Sequence, residues 1–119
     1  MKLILGFIFL MLALSGKAQE IVKDSLYIVT YTTGPSWDQS KAPGDQPYFK
    51  EHSQHLSSLR KAGVITMGAR YAEKGIIVIK AKSLSHAQEI VTSDQAIANQ
   101  LFNTDVQKLS VFYPGCVER

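Results

Sequence analysis

Two hydrophobic periods alternate along this chain, and the switches between them lay out its elements. Leu26-Tyr-Ile-Val-Thr-Tyr-Thr-Thr33 is rich in β-branched and aromatic residues and reads as a strand. Leu26, Ile28 and Thr30 share one face of it, and Tyr27, Val29 and Tyr31 the other. Three prolines and two glycines punctuate the next stretch, Gly34 to Pro47, which is a long loop. From Tyr48 to Gly63 the period becomes helical. At about 100° per residue, Tyr48, Phe49, Leu56, Leu59 and Gly63 gather on one side, while Lys50, Ser57 and Lys61 point away. Gly63, after Arg60 and Lys61, is placed to close that helix. Val64 to Tyr71 reads as a second strand, Glu73-Lys74-Gly75 as a tight turn, and Ile76 to Lys82 as a third strand in an antiparallel hairpin. Ser83 caps a second helix, Leu84 to about Ser93, with Leu84, Ala87 and Val91 buried and Ile90 on the flank. Asp94 continues that face. A short helical turn from Gln95 to Phe102 and a last strand from Val106 to Tyr113 complete the pattern, ended by Pro114 and Gly115.

The order β-α-β-β-α-β predicts an α+β, ferredoxin-like fold: a four-stranded antiparallel sheet with both helices on one face. About 100 residues cannot cover both faces of such a sheet with helix. The uncovered face, displaying Tyr27, Val29 and Tyr31 or their alternates, is expected to meet another sheet in a homodimer.

The N-terminus adds a destination. Met1-Lys2 precedes an unbroken apolar run, Leu3 to Leu14, and small residues stand at Gly16 and Ala18. This is the pattern of a secretory signal peptide cleaved near Ala18, leaving a single domain over 19–119 with its core at about 26–113. The run falls short of the ~20 apolar residues of a bilayer span. The expectation is an exported protein, periplasmic or secreted, with no stable membrane span after processing; an uncleaved N-terminal anchor is the alternative. Losing Lys2 and Lys17 leaves 11 basic against 10 acidic residues, so the basic balance is largely a targeting effect. No Lys/Arg cluster interleaved with aromatics supports nucleic-acid binding. The single cysteine, Cys116, excludes an internal disulfide and reads as a bystander in the tail.

Candidate chemistry centres on histidine. His52 falls near the middle of the apolar stripe of the first helix, where a titratable ring needs a hydrogen bond or a pocket. A core histidine bonded to a backbone carbonyl is the plain alternative. Asp94, before Gln-Ala-Ile-Ala, is a good N-cap for the short helix; capping uses one carboxylate oxygen and leaves the other free. His55, three residues after His52, reads as a rim residue of a substrate pocket. His52, His55 and His86 together invite a metal reading, but a zinc site needs three or four convergent ligands and His86 has an outward phase. Arg70 suits an anionic substrate. Trp37 lies in a loop too long for a simple connector and either lids the pocket or pins the loop to the core.

These pieces, in this order, resemble the YciI-like family, or YCII-related domain, of the dimeric ferredoxin-like α/β-barrel superfamily. The resemblance rests on His52 with Gly63 eleven residues later, on Met67-Gly68-Ala69-Arg70 and on Ser83, Leu84 and Ala87. It also rests on Asp94 at the helix end and on Gly34-Pro35-Ser36-Trp37, and it covers about Tyr27 to Tyr113. The chain departs from the family where Gln95 and Gln100 stand for a proline and a glycine, and where Ala69-Arg70 stands for Gly-Pro. The resemblance implies a His52–Asp94 acid/base pair, a small-molecule ligand and a homodimer. One branch of the family dehydrochlorinates a hydroxylated chloroaromatic. A lyase or isomerase acting on a small cyclic or aromatic metabolite fits such a pair, since proton abstraction needs a base and a shaped pocket and no cofactor. A non-catalytic ligand-binding or assembly module of the same fold is the alternative.

Overall fold

The computed structural model describes residues 23–119; the signal-peptide pattern and its cleavage point near Ala18 lie outside the described residues. The chain runs β1 (Ser25–Thr33), α1 (Phe49–Lys61), β2 (Ile65–Tyr71), β3 (Lys74–Ala81), α2 (Leu84–Thr92), α3 (Gln95–Ala98) and β4 (Phe102–Leu109). The four strands form one antiparallel sheet in the order β2-β3-β1-β4, the α+β arrangement expected from the element order. Among the described residues, no helix is long and apolar enough to cross a membrane.

Period two in β1 becomes a division of labour. Tyr27, Val29 and Tyr31 are buried against the helices with Ile77, Ile79, Ala87 and Val91. Their alternates Leu26, Ile28 and Thr30 therefore take the opposite face, which no helix among the described residues covers. Complete burial of side chains such as Val29 and Ile79 contributes about 1.5–3 kcal/mol each to this core.

The ends of α1 follow from local chemistry. Gly63 adopts φ 77°, the Gly63 N–H donates to Arg60 O, and the Val64 N–H donates to Leu59 O. This six-to-one pattern needs a left-handed residue after the helix, which glycine supplies without a Cβ penalty. At the other end, Tyr48 has φ 66° and so stands outside the helical phase. That is why it is 40% exposed although the sequence puts it on the apolar stripe. Leu84 departs similarly: as the first residue of α2 it stays 45% exposed, beside a cleft between α2 and β4.

Boundaries differ from expectation at the hairpin turn and at both ends of the last strand. Tyr71 pairs with Lys74, so the hairpin turn is Ala72-Glu73, and Gly75 belongs to β3 opposite both Arg70 and Tyr31. The last strand begins at Phe102, four residues before the expected Val106, because the preceding helical turn stops at Ala98. Gln100 then takes φ 60° and the Leu101 N–H donates to Ala96 O, which turns the chain back onto β1. From there Phe102 pairs with Thr33 and Leu109 with Leu26. Only Ser25 of β1 remains beyond that last pair, so β4 cannot run on to Tyr113; Val111, Phe112 and Tyr113 lie exposed past it.

Candidate functional site

His52 projects from the second turn of α1 and Asp94 sits in the extended link between α2 and α3. The packing of α1 against that link brings them together. Asp94 is 1% exposed and uses both carboxylate oxygens: Oδ1 accepts the Ala96 N–H at 2.9 Å, capping α3, and Oδ2 lies 2.5 Å from His52 Nδ1. Burial alone would push the Asp94 carboxyl up. The hydrogen bonds from His52 and Ala96, helped by the fields of His52 and His55, outweigh it and hold the carboxyl below the usual aspartate range. An ionised Asp94 is an acceptor only, so Nδ1 carries the proton of this hydrogen bond. In the neutral ring, Nε2 is then left with its lone pair.

That nitrogen is available. Among the described residues no hydrogen bond reaches His52 Nε2, and no buried side-chain nitrogen or oxygen lacks a partner. Nε2 therefore has access to open space, although the residue is only 8% exposed. The space is a cavity of about 560 Å³ that His52 lines, a volume suited to a small organic ligand.

Aromatic rings build its walls. The Phe102 ring lies 4.8 Å from the His52 ring, Tyr31 meets it edge-on at 5.3 Å, and Phe49 stands at 6.3 Å. Trp37 packs on Phe102 at 5.6 Å and lines the same cavity, so it joins the loop to the core and closes one side of the pocket. Two features hold that loop. Gly34 N–H donates to Leu101 O and Ser36 N–H to Gln100 O, and a Cβ on Gly34 would stand 2.3 Å from the Gln100 carbonyl oxygen. Farther along, the buried Gln46 amide donates to Asp38 O and Lys41 O and accepts the Asp38 N–H. This network folds the loop on itself ahead of α1.

The other expected site residues divide. Arg70 and neighbouring Glu73 line the cavity from β2 and its turn. His55 does not reach it; its Nε2 lies 3.0 Å from the Ile90 carbonyl, tying α1 to the end of α2. The rim role expected for His55 is thus replaced by a helix–helix tie, because its phase on α1 turns it toward α2. His86 Nδ1 accepts the Lys82 N–H at 3.1 Å, back in its own N-terminal turn. Among the described residues, no three His, Cys, Asp or Glu side chains converge. Cys116 is exposed in the tail after β4.

Phe102 and Tyr31 are the cavity residues that sequence reasoning missed, and Gln46 is the loop-holding residue that it missed. The alternation Phe102, Thr104, Val106 carried a signal for the first, hidden by assigning Phe102 to a helical turn. Comparisons with family models, with curated proteins and with solved structures found no match for this chain.

Proposed function

We propose that this is an exported YciI-like protein in which His52 and Asp94 act as an acid/base pair on a small cyclic or aromatic metabolite. The reaction is a cofactor-independent lyase or isomerase step. One observation carries the reading: Asp94 occupies Nδ1 of His52, whose ring lines an aromatic-walled cavity, and among the described residues Nε2 has no hydrogen-bond partner. In such an arrangement the carboxylate fixes the tautomer and orients the ring, and the free nitrogen exchanges a proton with the ligand. Arg70 at the cavity edge would hold an anionic group of that ligand.

Support for the family comes from an unlikely residue. Gln100 has φ 60°, a conformation that favours glycine, at the position where the YciI-like pattern has glycine. Export is supported by the Leu3–Leu14 apolar run and the small residues before Gln19. A homodimer through the sheet face opposite the described helices is supported by Leu26 and Ile28 on that face and by exposed Met67 and Tyr71 on β2. A second reading, ligand binding without catalysis, draws on the capping role of Asp94, which gives that residue a structural reason to be where it is.

The test is a small-molecule thermal-shift screen of the wild type and His52→Ala side by side. Ligands that stabilise only the wild type are expected. Ligands that stabilise both equally would remove His52 from the site.

A further inference from the structure

Tyr31 has a hydroxyl with no assigned work. The residue sits on β1 opposite Gly75 and Thr104, is 6% exposed and lines the cavity beside His52. Among the described residues nothing hydrogen-bonds its hydroxyl, yet no buried side-chain oxygen is left without a partner. The hydroxyl is therefore reachable from the cavity that Tyr31 and His52 both line, and the Tyr31 ring meets the imidazole edge-on with centroids 5.3 Å apart. A hydroxyl that the protein leaves unpaired in an apolar pocket is held for a ligand or a water, since an unsatisfied polar group there is costly.

We infer that Tyr31 is a second catalytic group, donating its O–H to a ligand carbonyl oxygen on which negative charge develops while His52 Nε2 takes a proton from the carbon beside that carbonyl. The substrate class is then an enolisable carbonyl compound with a flat, apolar body. This rests on the acid/base reading of His52 and Asp94. In the step, the C–H bond beside the carbonyl breaks and an N–H bond forms at Nε2. The C–H electron pair becomes the C=C bond of an enolate, and the carbonyl π pair settles on oxygen, which accepts from Tyr31. In a substrate with a C=C one carbon farther along, the enolate is a dienolate, and return of the proton from Nε2 to its far carbon completes a double-bond isomerisation that needs no oxidant, reductant or second substrate. Burial, and then the nearby Asp94 charge, push the Tyr31 hydroxyl far above its ordinary range. Tyr31 therefore stays a donor and does not compete with His52 as a base. Phe49, Phe102 and Trp37 keep the developing charge in apolar surroundings, where one aimed donor can contribute about 10²–10³ in kcat.

A phenolate is a stable mimic of the enolate, with a flat ring and one oxyanion. Binding of 4-nitrophenolate and of nitrobenzene is measured by calorimetry on the wild type and on Tyr31→Phe, with thermal unfolding of both proteins. The wild type is expected to bind both probes, 4-nitrophenolate more tightly. Tyr31→Phe should weaken 4-nitrophenolate about tenfold, leave nitrobenzene unchanged and leave the unfolding midpoint where it was. Equal binding of 4-nitrophenolate by both proteins would overturn the role of Tyr31 and leave the His52 site standing. Loss of both probes in the variant, or a lowered midpoint, would assign the hydroxyl to structure and also overturn it. A wild type that binds neither probe would overturn this inference together with the ligand-site reading beneath it.

Discussion

His52 Nδ1 lies 2.5 Å from Asp94 Oδ2, a buried contact across 42 residues of sequence that joins the first helix to the link between the other two. The other oxygen of the same carboxylate caps α3 through Ala96. One side chain thus sets the start of a helix and the orientation of the histidine that faces the cavity. Site and fold are coupled at this point, so a change at Asp94 should be felt in both.

Asp94→Ala is expected to destabilise the protein by about 3 kcal/mol, from the lost cap and the lost charged hydrogen bond. Asp94→Asn keeps an N-cap and should lose less. The pH dependence separates the two effects. Because the native carboxyl is held below its ordinary range, the unfolded chain binds the proton more readily. The stabilisation is complete above the ordinary aspartate pKa of about 3.9 and is lost as pH falls through the lower native value. Denaturant unfolding as a function of pH should show this acid-side loss in the wild type and a flatter curve in Asp94→Asn.

Gly34→Ala should cost about 2 kcal/mol, since its Cβ would meet the Gln100 carbonyl oxygen at 2.3 Å and neither backbone can yield easily. The single tryptophan, Trp37, reports the same event: its fluorescence should shift to the red as the loop leaves Phe102. Gly44→Ala meets nothing within 4 Å and serves as the neutral control.

Gln100→Gly should raise stability by about 0.5–1 kcal/mol by relieving a left-handed conformation that a side chain opposes. Thermal unfolding measures it. An unchanged or lower midpoint would mean that the Gln100 side chain compensates for its own backbone.

What the sequence revealed and what it hid divide along the range of the interactions. The Gly63 stop, the Ser83 cap and the alternation of β1 are set by neighbours within a few residues, and each was readable. Phase along α1 likewise placed His52 inward, where it is found buried. The start of β4 was not readable, because it depends on where β1 offers partners: Thr33 for Phe102 at one end and Leu26 for Leu109 at the other. With that register hidden, Phe102 was hidden as the ring against His52. Gln46 was hidden for a related reason, since only the closed loop turns a polar residue beside Pro47 into a buried one. His55 stands about 60° round α1 from His52, and only the packing of the helices shows that this offset carries it to the Ile90 carbonyl and not to the cavity. The sequence could offer His52 and Asp94 as partners only through the family resemblance; the geometry now supplies the contact itself.

Asp94 accepts the Nδ1 proton of His52 and so leaves Nε2 as the nitrogen proposed to meet the ligand. Side-chain ¹⁵N NMR of the neutral ring, with the His52 signals assigned by comparison with His52→Ala, measures this directly. A protonated Nδ1 and a pyridine-type Nε2 are expected, with Asp94→Asn disturbing that tautomer. A neutral His52 protonated at Nε2 in the wild type would contradict it.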